Sequence, residues 1–338
     1  MLLIVNKLKL LRYKGGSEVF IKVFFQNIQK TVTLGLLLGA LGLVIVPTTA
    51  SAKPFNLGPG KCMECHKSEY GVWEKTKHAT SYKKVHKSKA AKAIVKAVGG
   101  KRMKKTELCM SCHYTQTVKK AGAKPKLAAG ISCESCHGPS SEWITIHNNY
   151  GKGKTVKTED AAHKAERIKS ATAAGMIWPS ALYDIAANCN SCHGFSKQVL
   201  TGENISAMMD AKHPINPDFE IVEYSQGTVR HRFYPPNVTE NQEMSTVDMS
   251  RMFVIGQAAT LVSATENISK SDHAVYKAAQ EKRIATATAV LKSVQSLAPE
   301  VGAFLATPTT ESGRAFAAAI AEKDLSSAVS GRLPTKYK

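Results

Sequence analysis

The eight cysteines of this 338-residue chain fall into four copies of one pattern, C-x-x-C-H, with no cysteine left over. They are Cys62, Cys65 and His66; Cys109, Cys112 and His113; Cys133, Cys136 and His137; and Cys189, Cys192 and His193. Three chemistries compete for such residues: covalent attachment of c-type haem, zinc coordination, and a dithiol redox pair. Zinc wants four ligands per site and does not need a histidine directly after the second cysteine. A redox dithiol has no use for four copies with a trailing histidine. Haem attachment accounts for every residue, because in one turn of helix positions i, i+3 and i+4 share a face. Two thiols can then add to the two vinyl groups while the imidazole reaches the iron. Four such motifs imply four covalently bound c-type haems, with His66, His113, His137 and His193 as iron ligands.

The other side of each iron decides what it does. A second imidazole makes an electron carrier, whereas an open position admits ligands or catalysis. Seven histidines stand outside the motifs, enough to fill four positions: His78, His86, His147, His163, His213, His231 and His273. If the segment from His66 to His78 is largely helical, the two lie about 18 Å apart at 1.5 Å per residue. That is too far for one iron, so His78 is expected to serve a neighbouring haem. For His147 the distance argument is weaker, since Gly138 and Pro139 break the helix after His137. His213 and His231 follow the last motif and can fold back. His273 and His86 are expected to be ordinary side chains, and His163 stays in reserve. Met176, Met208 and Met209 are softer rival ligands.

The elements that must position these residues are short helices with glycine and proline punctuation over residues 53 to 200. Residues 201 to 250 read as irregular, with one β-prone run, "FEIVEY". From Arg251 onward Ile284, Ala287, Leu291 and Val294, and then Phe316, Ala319 and Ile320, recur at helical spacing. The expectation is a mainly α fold with little β: a haem-packed core over 53–250, and helices without site chemistry over 251–338.

Residues 1–52 have the layout of a secretory signal: scattered lysines and arginines, an apolar run from Leu34 to Val46, then "PTTASA" before Lys53. The apolar run is short for a membrane span, which needs about 20 residues. Export agrees with haem chemistry, since cysteines outside the cytoplasm otherwise form disulfides, so the periplasm, or the cell exterior, is the expected compartment. The formal charge is +20, and residues 75–105 contain no acidic residue while carrying Lys83, Lys84, Lys87, Lys89, Lys92, Lys96, Lys101, Arg102, Lys104 and Lys105. Such a run is either a solvated face that aids solubility or a steering patch for an acidic redox protein. Export and the lack of interleaved aromatics argue against nucleic acid.

The stretches "CMECHKSEYGVWEKTKHA", "CESCHGPSSEW" and "CNSCH" resemble the tetrahaem cytochrome c-554 family, whose first motif is followed by a tryptophan and a His-Ala pair; the likeness runs over residues 60–195. "HPINPDFEIVEYSQGTVRHRF" resembles a segment that follows the haem motifs in related multihaem cytochromes. The resemblance implies His78, His147, His213 and His231 as the preferred distal ligands. It also implies an electron carrier in which one haem can be five-coordinate, with a hydroxylamine oxidoreductase-like donor or a membrane quinol-oxidising system as partner. The long C-terminal region departs from the family pattern. Two other functions compete with the carrier: an enzyme acting on a small nitrogen or sulfur compound at a five-coordinate haem, and a subunit of an extracellular cytochrome filament. All four motifs end in histidine, and the lysine-ended variant typical of ammonia-forming nitrite reductases is absent.

Overall fold

The computed structural model describes residues 53–338 apart from Pro236; the secretory-signal reading of residues 1–52 lies outside them. The first motif spans α1 (Pro59–Met63) and the turn before α2 (Lys67–Trp73). Thr76 then starts α3 (Lys77–Lys84) by accepting from the Ala79 amide, and Ser88 starts α4 (Lys89–Ala97) by accepting from Ala91. In α4 the buried residues are Ala91, Ile94 and Val95, so the lysines between them face water. The second motif ends α5 (Glu107–His113), and the chain continues into a two-stranded antiparallel ribbon, β1 (Thr115–Thr117) with β2 (Lys126–Ala129). The third motif forms the single turn α6 (Glu134–His137). After α7 (Ala161–Ala173), the fourth motif is the last turn of α8 (Leu182–His193).

The stretch after the last motif is more regular than expected. It holds α9 (Gly202–Asp210) and α10 (Ile221–Ser225). The β-prone run "FEIVEY" is therefore corrected to helix. The Glu220 carboxylate accepts from the Val222 and Glu223 amides, which starts a turn, and Ile221 and Val222 bury themselves in the C-terminal core. Here tertiary packing overrides the β preference of the branched residues.

The C-terminal half is built around α11 (Thr246–Asn267), started by Ser245 accepting from Asp248. Residues from Phe253 through Ala264 of α11 are continuously buried, as expected of a helix surrounded by others. It packs against α8 and α12 (Ala274–Ser293), with α13 (Val301–Ala306), α14 (Thr310–Ala319) and α15 (Ser326–Val329) closing the core. Tyr183 and Ala186 of α8 lie in that core with Val254, Leu261, Leu291, Phe304 and Ile320. The helix that ends in the fourth motif is thus held by the C-terminal helices, and the described residues fall within one compact unit. Among them no helix is long and apolar enough to cross a membrane.

Candidate haem-binding site

Each motif closes one helical turn. The His66 amide donates to the Cys62 carbonyl at 2.8 Å and the His137 amide to the Cys133 carbonyl at 2.9 Å; the second and fourth motifs lie wholly within α5 and α8. The segment from His66 to His78 is largely helical, with residues 74–76 forming a turn between α2 and α3.

Four pairs of imidazoles emerge from this arrangement. The ring centres of His66 and His147 are 6.4 Å apart, those of His78 and His193 6.2 Å, those of His113 and His213 6.1 Å, and those of His137 and His231 6.3 Å. Every motif histidine faces one histidine from elsewhere in the chain, and His78 faces the fourth motif rather than the first. Two imidazoles on opposite sides of one metal, each with a metal–nitrogen bond of about 2.0 Å and about 1.1 Å from nitrogen to ring centre, have centres about 6.2 Å apart. The spacing is one at which each pair of histidines would hold a single metal ion between them.

The rings are also prepared to be ligands. A neutral imidazole that donates from Nδ1 to a carbonyl presents Nε2 as the free lone pair. His137 Nδ1 lies 2.9 Å from the Ile177 carbonyl, His147 Nδ1 2.7 Å from Ile144, His213 Nδ1 2.8 Å from Pro214 and His231 Nδ1 2.6 Å from Val229. Burial, with His213 alongside, holds His113 down at about 4; burial, with His78 and Arg283 alongside, does the same for His193. Burial also lowers His78. These rings stay neutral at physiological pH, as a ligand must. His66 differs, its pKa being raised by its contact with Glu69.

The sulfurs connect the motifs. The thiols of Cys62 and Cys133, of Cys136 and Cys189, and of Cys112 and Cys192 are close enough to perturb one another. The attachment points therefore follow the row first, third, fourth, second motif. Among the described residues no three or more His, Cys, Asp or Glu side chains converge as a bare metal ion requires. Orphaned donors fit a bulkier group carrying carboxylates. Trp143 Nε1 and Arg232 Nε are buried without a partner; the Trp143 ring is 5.1 Å from that of His147, and Arg232 directly follows His231.

Side chains that carry no motif signal hold the pairs in place. Glu134, inside the third motif and 3% exposed, accepts from the Leu57 and Gly58 amides at 2.8 Å each and from the amide and hydroxyl of Ser140, which ties the third motif to the segment before the first. Gly58 takes φ +98°, where a Cβ would meet Thr117 Cγ2 at 2.8 Å. Trp73 Nε1 donates to the Ile131 carbonyl at 2.7 Å. Behind His147, the buried Glu159 carboxylate takes both Arg167 and His163, and Arg167 donates to the His147 carbonyl at 2.6 Å. His163 is engaged there rather than facing a motif histidine. His273 caps α12 and reaches Asp210, while His86 lies between α3 and α4 with its Nδ1 unbonded. Met176 packs with Trp143 and Ala171, and Met208 and Met209 with Ile205. The position of Glu134 inside a motif was the one available signal for these supporting residues.

The run of basic residues lies mostly on the surface. Lys83, Lys84, Lys87, Lys89, Lys92, Lys96, Lys101, Arg102 and Lys105 are exposed, while Lys104 lies over the Tyr82 ring at 3.8 Å.

Residues 61–138 match the family model described as cytochrome c554 and c-prime. Over 148 residues the chain is 32% identical to cytochrome c-554 of Nitrosomonas europaea, an alignment covering 40% of this chain and 62% of that protein. No solved structure matches.

Proposed function

We propose that the chain is a c-type cytochrome and an electron carrier, a reading supported by its match to the cytochrome c-554 family through residues 61–138. We propose that it carries four haems, each iron held between two imidazoles, and that it passes electrons among redox proteins in the periplasm. The observation that carries this reading is the set of four histidine pairs at 6.1–6.4 Å, each joining one motif histidine to one other. The thioether attachments would be Cys62 and Cys65, Cys109 and Cys112, Cys133 and Cys136, and Cys189 and Cys192. The axial pairs would be His66 with His147, His113 with His213, His137 with His231, and His193 with His78.

Each haem, when bound, supplies a one-electron ferric–ferrous couple. The polypeptide's part is to fix both ligands, to hold His78, His113 and His193 neutral through burial, and to bring the attachment points together in a row. Two ligands on every iron leave no position for a substrate, which sets the carrier apart from an enzyme working at a five-coordinate haem. Residues 53–250 would form the haem-carrying part and residues 251–338 its support, with α11 crossing between them from Thr246. The exposed lysines of residues 83–105 would steer an acidic redox partner. The test is a haem count with a ligand-binding assay. Four haems per chain and no carbon monoxide adduct on reduction are expected; a fifth-ligand-only iron that takes up carbon monoxide stoichiometrically would overturn the reading.

A further inference from the structure

Arg283, on α12, is 2% exposed, and each partner that it has among the described residues is neutral. Its guanidinium donates to Asn190 Oδ1 and Gln280 Oε1 at 2.6 Å each, and to the Gly194 carbonyl and Ser263 Oγ at 3.4 Å each. A buried cation without an anion is costly, and structures retain one where something requires it. Burial lowers this group only to about 10, so it keeps its proton at physiological pH.

The location of this cation is specific. Asn190 lies between the two cysteines of the fourth motif, and Gly194 directly follows His193. Gly194 permits the approach, since a Cβ there would come within 2.6 Å of Arg283 Nη2 and Ser263 Oγ. Gln280 Nε2 donates to the same Gly194 carbonyl at 3.1 Å, and Thr260 to Asn190 at 3.3 Å. The C-terminal helices thus deliver one fixed positive charge to the turn bearing Cys189, Cys192 and His193.

We propose that Arg283 raises the reduction potential of the haem attached at Cys189 and Cys192, making it the electron-holding member of the row. This rests on the four-haem reading. Reduction adds one electron to the iron and removes one positive charge from the site, with no proton transferred. A fixed cation in a low-dielectric surrounding favours the less positive, ferrous state. Arg283 acts as a positioning residue for charge and touches no redox partner. Because the fourth motif lies between the third and second in the sulfur row, electrons entering from either end would settle in the middle. The helices after residue 251 then have a redox role as well as a structural one.

The experiment is a spectroelectrochemical titration of the whole haem-loaded protein. In Arg283→Met one of the four midpoint potentials should fall by at least tenfold in the reduction equilibrium, ~59 mV for one electron, with four low-spin haems retained. Arg283→Lys, which keeps the charge, should restore most of the shift. If Arg283→Met fails to mature, Asn190→Asp decides, since a carboxylate beside the guanidinium neutralises the site with a side chain of the same size; it too should lower one potential. Unchanged potentials in the variants that fold would overturn the proposal. So would equal shifts in the Met and Lys variants, which would assign the effect to packing. A wild-type protein without four low-spin haems would instead refute the reading beneath it, and that is seen before any variant is made.

Discussion

Replacing His78 by alanine should change one haem, and that haem should be the one at Cys189 and Cys192. His78 lies 6.2 Å from His193, ring centre to ring centre, and its own backbone is pinned. Its carbonyl accepts from Ser81 Oγ, and it passes so close to Gly130 that a Cβ there would come within 2.0 Å. The helix cannot slide to offer another side chain, and His86, two turns further along, bonds neither the fourth motif nor any other histidine pair. One of four irons therefore loses its second imidazole, so the low-spin ferric signal should fall by a quarter and a high-spin or water-ligated signal of that size should appear. Four haems should remain attached, because the thioether bonds do not involve His78, and added imidazole should restore the low-spin form. The affected haem can be identified by proton NMR. Phe219 stacks on the His193 ring with centres 4.2 Å apart, so the shifted methyls of the high-spin haem should show Overhauser contacts to Phe219. An undiminished low-spin signal with unchanged potentials would refute the reasoning, as would a high-spin haem with its contacts near Cys62.

The intact mass of the purified protein should equal the polypeptide from Lys53 plus four haems, without free thiols; reactive thiols with bound zinc would count against the whole account. Charge reversal at Lys83, Lys84, Lys87, Lys101 and Lys105 should slow association with an acidic redox partner mainly at low salt, because exposed charges are screened beyond about 8–10 Å at ordinary ionic strength. Rates insensitive to reversal at low salt would return these lysines to a solubility role. The Arg167 guanidinium, and His163 after it, pull the Glu159 carboxylate down to about 2, below the ordinary value of about 4.3 in an unfolded chain. A depressed carboxylate stabilises the fold fully above the unfolded value and stops doing so as pH falls through the folded one. Acidification from pH 4.5 toward 2 should therefore loosen His147 and release low-spin character at the first haem. Glu159→Gln should show that loosening already near neutral pH, and an identical acid profile in the variant would contradict the role given to this network.

The four motifs stood out in the sequence because the haem attachment and iron ligation proposed for them demand fixed residue types at fixed spacing. His78 could be directed away from its own motif by helical distance alone, even though Thr76 starts a new helix between them. The pairing of His147, His213 and His231 with particular motifs was not legible, since each depends on how remote segments fold back. "FEIVEY" misled because β preference is a matter of context, and Glu220 with a hydrophobic wall made the segment helical. Arg283 was hidden for a related reason. Nothing in "EKRIATA" distinguishes a buried arginine from a surface one until α12 is laid against the fourth motif.

The most direct test of the central claim is the quantified ferric electron paramagnetic resonance spectrum of the haem-loaded protein, with and without nitric oxide. Nearly parallel ligand planes split the iron orbitals and give a rhombic low-spin signal, whereas nearly perpendicular planes leave them close in energy and give a highly anisotropic one. The planes meet at 23° for His66 and His147 and at 89° for His137 and His231. All four irons should be low-spin, with both signal types present and none altered by nitric oxide. A high-spin signal amounting to one haem, converted on adding nitric oxide, would contradict the claim that every iron lies between two histidines.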